Sequence, residues 1–335
     1  LVGDLLYDTY LKKKYSLIPT INLKNKDFID FSYDFISLVI FWINYFKNNR
    51  VKSVVTSHSI YSLAITSRIA LSKSIPAFVC TGEHLTKLNK KNIYQFGEFH
   101  NFKRIFNKLN KLKKKEGLKI AKYRIEERLK GKLHSDTSYI SNSSFKKIKI
   151  KKINKNKKKT KILIATHNFA DAPHLYGNNL FTDFYQWILF LGKISKLTDY
   201  DWYIKTHTPF PGRWKKYSDH EKLVVNKFLK SHKNINLLSN KITHQEILNM
   251  GIDTVLTVYG TIGFEFPALG IPAITSSKNN PQIHYNFNFH PKNINDLKKI
   301  IFNLQKYKKK ISYSKIKIYE NYFIKYIYYN KNWLF

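Results

Sequence analysis

Apolar residues recur along this chain in two alternating rhythms. From Lys161 onward, short β-branched or aromatic runs alternate with longer stretches whose apolar positions return every three or four residues. The pattern predicts strands at Lys161 to His167, Trp202 to His207 and Ile235 to Leu238. Between and after them it predicts helices at Phe181 to Leu197, His220 to Leu229 and His244 to Met250. The same beat continues through TVLTVYGTIGFEFPALGIPAITSS, Thr254 to Ser277, which reads as strand, glycine turn, short helix and strand. Thr261 is placed to cap that helix, Gly270 to end it, and Pro272 to open the next strand where a missing N–H does least harm. A helix follows at Asn293 to Tyr307, then a terminal one at Tyr313 to Tyr329 that packs back across the first half.

The first half is quieter. Ser53 to His58 and Pro76 to Thr81 read as strands flanking a helix at Tyr61 to Ser72, a βαβ unit. Asp27 to Asn48 reads as a long helix. Its apolar centre, Phe35 to Phe46, carries Trp42 and Asn44, is too short to span a bilayer, and is expected to be buried. Lys87 to Leu133 is lysine-heavy and largely helical, and 146–160 has too little apolar mass for a core. The expected organisation is α/β: a Rossmann-like domain over 1–145, a Lys-rich linker over 146–160, a second Rossmann-like domain over 161–310 and a closing helix over 311–335. The two doubly wound parallel sheets would face a cleft, with ligands at the carboxyl ends of the strands.

Composition narrows the partners. The 335 residues are 43% hydrophobic and 16% aromatic, enough to fill two cores. The formal charge is +37, but only six of the 59 basic residues are Arg. Lys with abundant Asn, Ile, Tyr and Phe fits codon bias in an AT-rich genome better than selection for nucleic-acid readout, so no specific nucleic-acid partner is expected. The basic surface would still attract anionic lipid or polysaccharide. The single cysteine, Cys80, excludes an internal disulfide and points to a reducing compartment. The chain opens at Leu1 and its sole methionine is Met250, so the natural start is expected upstream.

Three loops gather chemistry on the predicted carboxyl edge. The first carries His167, Asn168, Asp171, Pro173 and His174; the second Lys205, Thr206, His207, Thr208 and Pro209; the third Gly260, Thr261, Gly263 and Glu265. The glycine turn and helix start suit an anion, and Glu265 is spaced to accept from ribose hydroxyls. Against each stands a plainer role: strand-end histidines satisfied by backbone, or Asp171 as a helix cap before Pro173. The Asp199-Tyr200-Asp201 pair precedes its strand, lies at the amino end of the sheet and reads as a solvated turn. No H-x-x-x-H or H-x-E spacing supports a metal site.

These motifs resemble the GT-B glycosyltransferases. HNFADAPH with IKTH and TVYGTIGFE is similar to the bacterial capsule and lipopolysaccharide enzymes that transfer 3-deoxy-D-manno-oct-2-ulosonic acid (Kdo) from CMP-Kdo with retention. The resemblance covers about Lys161 to Lys292, with weaker echoes at GDLLYDTY (Gly3 to Tyr10) and at His58, Tyr61 and Arg68. It implies Asp171 as nucleophile, with His167 and His174 in the catalytic group. It also implies a nucleotide and phosphate site of Lys205, His207, Gly260, Thr261, Gly263, Glu265 and Ser276, with no metal or other cofactor. The implied partners are a CMP-sugar donor, an anionic lipid-linked or oligosaccharide acceptor and the inner face of the cytoplasmic membrane. A UDP-sugar transferase or 2-epimerase and a non-catalytic polyanion-binding protein are the alternatives.

Overall fold

The computed structural model describes residues 2–80, 85–94, 97–130, 159–207, 212, 215–240, 242–311 and 314–328. The expected linker, apart from Lys159 and Thr160, and the loop residues Thr208 and Pro209 lie outside the described residues.

The first half opens with helices α1 (Gly3–Lys14) and α2 (Lys26–Asn48). Strand β1 (Val54–Thr56), a tight turn over Ser62–Ala64, helix α3 (Ile65–Ser72) and strand β2 (Ala77–Cys80) form the expected βαβ unit, with β1 and β2 parallel. Strand β3 (Leu85–Leu88) then adds antiparallel to β2, so this sheet has three strands and is mixed. Helices α4 (Phe102–Lys108) and α5 (Lys111–Leu129) follow.

The second half is a five-stranded, fully parallel sheet. Its elements are β4 (Lys161–Ala165), α6 (Phe184–Ser195), β5 (Asp201–Lys205), α7 (Lys215–Lys230), β6 (Ile235–Leu237), α8 (His244–Asn249), β7 (Thr254–Thr257), α9 (Ile262–Ala268) and β8 (Ala273–Thr275). Strand order is β6-β5-β4-β7-β8, so the winding reverses between β4 and β7. Strands buried on both faces need continuous apolar runs, which KILIA and TVLT supply. Trp187 of α6 and Trp202 of β5 are wholly buried in the core between helices and sheet. Truncating Trp187, whose indole N–H donates to Ser276 Oγ at 2.9 Å, costs about 3–5 kcal/mol.

Helix ends follow local chemistry. Asp183 caps α6 by accepting from Gln186 N at 2.7 Å, and Thr243 with Glu246 forms a capping box on α8. Gly270 takes φ +84° past the end of α9, a left-handed position where a side chain would be strained. The expected helix at Asn293 to Tyr307 is two, α10 (Ile294–Phe302) and α11 (Leu304–Lys308), broken at Asn303. Helix α12 (Lys315–Phe323) lays Phe323 and Tyr322 against α4, α5 and α9. The fit is close: a Cβ on Gly117 of α5 would stand 2.6 Å from the Phe323 ring.

One expectation fails clearly. Helix α2 is as long as expected but not buried: Phe28, Phe35 and Phe46 face the core, while Ile36, Leu38, Ile40, Phe41, Ile43 and Tyr45 face outward. The first half's sheet is too small to cover a helix that is apolar nearly all round.

Candidate functional site at the sheet reversal

A parallel sheet leaves its ligand crevice where the winding reverses, and here that is beyond β4 and β7. The loop after β4 makes a tight turn: Asn168 accepts from Ala170 N through its side chain and from Asp171 N through its carbonyl. Asp171 therefore caps no helix. The next residue, Ala172, sits at φ +41°, and its carbonyl accepts from the Tyr259 hydroxyl at 2.8 Å.

Asp171 is met from the other half of the chain. Its side chain is 53% exposed, Tyr61 donates to Oδ1 at 2.5 Å, and Lys12 Nζ stands 3.9 Å from the same oxygen and 4.0 Å above the Tyr61 ring. Tyr61 is held at φ +56°, a left-handed conformation that costs a tyrosine of order 1 kcal/mol or more and concentrates at working sites. Burial, then the Asp171 charge, raise the Tyr61 pKa, so the hydroxyl keeps its proton. His58 stands in the same electrostatic neighbourhood, its pKa lowered by burial and by Lys12 while Asp171 pulls the other way.

Helix α1 supplies a second set of partners from one face, since Asp4, Asp8 and Lys12 recur every fourth residue. Asp8 accepts from His174 Nδ1 at 2.6 Å and from the His174 backbone N–H at 3.2 Å. Burial pushes Asp8 up to about 6, with His174 resisting. Burial works against charge on His174, but Asp8 outweighs it and the pKa is raised. Tyr7 donates to Asp183 Oδ2 at 2.6 Å, and Asp4 pairs with Arg68 at 2.6 Å. The weak echoes in GDLLYDTY and Tyr61 thus converge on the segment after β4, while Arg68 pairs with Asp4 of α1.

The remaining candidates form an inner, buried group. Lys205 ends β5 and donates to the Thr206 carbonyl at 3.2 Å; burial lowers its pKa, with Glu221 and Glu265 opposing. Glu221 of α7 is fully buried, accepting from Thr166 Oγ1 at 2.5 Å and from His207 N at 2.9 Å, and burial pushes it up to about 7. Glu265, in the first turn of α9, takes Arg128 Nε at 2.7 Å and Nη2 at 2.6 Å on Oε1, with His244 Nδ1 3.6 Å from Oε2. Burial would raise the Glu265 pKa, but Arg128 and then His244 hold it below its ordinary value. Ribose hydroxyls would have to share this carboxylate with Arg128.

Five other residues have firm structural roles. Thr261 is at the expected cap position but is helical and makes no capping bond; its hydroxyl instead helps hold Glu265 ionised. His167 stacks on Phe184, its Nε2 accepts from Val258 N at 3.2 Å, and burial drives its pKa down to about 3, leaving it neutral. Ser276 is wholly buried against Trp187. Gly263 turns its missing side chain toward Gln282, where a Cβ would stand 3.3 Å from Oε1. Gly260 leaves room beside Thr257 Oγ1, which a Cβ would approach to 2.9 Å. Asp199 pairs with Lys159 and Asp201 opens β5, at the amino end of the sheet. Among the described residues no group of three or more His, Cys, Asp or Glu is placed to hold a metal.

Sequence reasoning missed Lys12, Glu221 and Arg128, and reached Asp8 only as part of the weak echo GDLLYDTY. Only the four-residue spacing of α1 was there to flag Lys12. Arg128 is one of six arginines in a lysine-dominated chain, a scarcity that marks sites where a planar fork is used.

Fold and site define an α/β protein in which a smaller three-stranded sheet and a five-stranded, fully parallel sheet each contribute residues around Asp171. Among solved structures the chain is similar to Thermosulfurimonas dismutans KpsC, a beta Kdo 2,4 transferase. The two share 10% identity over 78% of this chain and 75% of that one, with a TM-score of 0.46. It is also similar to the Neisseria meningitidis UDP-GlcNAc 2-epimerase bound to UDP-GlcNAc (13% identity, 93% and 83% covered, TM-score 0.36). The Methanocaldococcus jannaschii UDP-GlcNAc 2-epimerase compares at 14%, 80% and 72%, and 0.32. No family model and no curated protein matches the chain.

Proposed function

We propose that this chain is a retaining glycosyltransferase of surface-polysaccharide assembly, moving Kdo or a related ulosonic acid from a CMP-linked donor through Asp171. The observation that carries the reading is the half-exposed Asp171 carboxylate, fixed through Oδ1 by the Tyr61 hydroxyl from across the cleft. Oδ2 is then the attacking atom. It bonds to the anomeric carbon as the bond to the phosphate oxygen breaks, and CMP leaves with the electron pair. The acceptor hydroxyl then attacks the same carbon, its bond to Oδ2 breaks, and two inversions give retention.

Other residues take roles by position. His174 gives Nδ1 to Asp8, so in its neutral form Nε2 is left to receive the acceptor proton. Lys205 and His207 face the departing phosphate, and Glu265 with Gly260, Thr261 and Gly263 bounds the nucleotide side. The test is incubation of the protein with CMP-Kdo and lipopolysaccharide-type acceptors. CMP release that requires acceptor, with a product of the donor's anomeric configuration, supports the proposal.

A 2-epimerase is the second reading, favoured by the presence of Asp8 from the first half beside the loop of Asp171 in the second. UDP-GlcNAc isomerised without any acceptor would establish it instead. Salt-sensitive polyanion binding with no turnover on either donor would establish the non-catalytic reading.

A further inference from the structure

Helix α2 presents apolar side chains with no protein over them. Only 11% of its most apolar 18-residue window is buried, although it is long and apolar enough by composition to cross a membrane. Crossing is ruled out by its other face. Phe35 and Phe46 belong to the core of the first half, and Phe31, Val39 and Trp42 pack onto that core beside α1 and α3. A helix anchored along one side can lie at a surface but cannot be surrounded by lipid.

The outward face is ordered. Ile29, Tyr33, Ile36, Ile40 and Ile43 are spaced 4-3-4-3, which places them in one stripe within a quarter turn, and Phe41 and Tyr45 broaden it toward the carboxyl end. Asp30 and Asp34 are exposed and lie round from the isoleucine stripe, on the row that Phe41 and Tyr45 continue toward the carboxyl end. Exposed basic residues stand at both ends: Lys24 and Lys26 before the stripe, and Lys47, Arg50 and Lys52 after it. Apolar stripe, aromatic shoulder and basic ends are the features of a helix that lies in the interfacial plane of an anionic bilayer.

We propose that α2 docks this protein on an anionic lipid surface, its isoleucine stripe in the acyl boundary and its terminal Lys and Arg residues among the headgroups. The same heptad-like spacing would suit a partner helix from a second copy, but each copy carries a formal +37, and that repulsion disfavours self-association over a negatively charged bilayer. The proposal does not depend on the role given to Asp171.

The test is co-sedimentation of the full chain with vesicles of phosphatidylcholine alone or mixed with phosphatidylglycerol. The variant is Ile36→Ser/Ile40→Ser/Phe41→Ser, all outward-facing and so expected to keep the unfolding transition. The wild type is expected to pellet with the mixed vesicles and the variant to bind them at least about tenfold more weakly. Charge reversal at Lys47 and Arg50 should remove the preference for phosphatidylglycerol. Equal pelleting of the triple variant would show that net charge alone drives association and overturn the proposal. So would a wild type that ignores vesicles but sediments as a dimer that the triple variant abolishes.

Discussion

Asp171 and Glu265 are carboxylates at the same edge of the same parallel sheet, yet their surroundings differ in every respect. Asp171 rides a loop just before the strained Ala172, is half exposed, and is held by the neutral hydroxyl of the strained Tyr61 and by a lysine at 3.9 Å. Glu265 rides a helix, is almost fully buried, and is committed to Arg128 with His244 close by. One is positioned yet free to bond to carbon; the other already balances a buried cation. In the proposed mechanism, reactivity at this edge belongs to the loop after β4, and the loops after β5 and β7 form its electrostatic wall.

Substitutions can break that contrast in descending size. Asp171→Asn should lower kcat/KM for the CMP-sugar by about ten-thousand-fold, roughly 5 kcal/mol of barrier, while denaturant unfolding shifts by less than about 1 kcal/mol. A large loss of stability instead would make Asp171 structural. Glu265→Ala should do the reverse, costing about 3–5 kcal/mol in urea unfolding because Arg128 is left buried without its partner. Unchanged stability there would show that the pair is not holding the wall together.

Glu221 gives a pH signature to the same wall. Its folded pKa, about 7, lies above the ordinary 4.5, so between those values the folded state keeps a proton that the unfolded chain has lost. That contribution is fully present below the unfolded value and is lost as pH rises through 7. Glu221→Gln removes it, so the variant should gain about 2–3 kcal/mol relative to wild type between about pH 5 and about pH 8, read by unfolding at each pH. A flat difference would mean that Glu221 stays ionised in the fold. Smallest is Tyr61→Phe, which should lower kcat about tenfold, or about 1–2 kcal/mol, with KM nearly unchanged if the hydroxyl only fixes Oδ1.

The strands and helices of the second half were readable because a parallel sheet writes its burial directly into apolar runs, as in KILIA and TVLT. The β4 loop stood out because it was one of three loops gathering acid, base and anion-binding groups on one predicted edge of the sheet. What a single sequence could not show is pairing across about a hundred residues or more: Tyr61 with Asp171, Asp8 with His174, Arg128 with Glu265. Glu221 was hidden as one charge among many on an amphipathic helix, and only the turn after β5 brings it under His207. The reading of α2 as a buried helix failed for a related reason. Apolar composition reports that a surface wants covering, not whether this chain has the layer to cover it.

The central claim is that Asp171 bonds covalently to the donor sugar. Mass spectrometry of the protein incubated with CMP-Kdo in the absence of acceptor tests it most directly. The account predicts a single sugar adduct that maps to the peptide containing Asp171, disappears on adding acceptor, and does not form in Asp171→Asn. Turnover in that variant at the wild-type rate, or an adduct mapped to another residue, would contradict it.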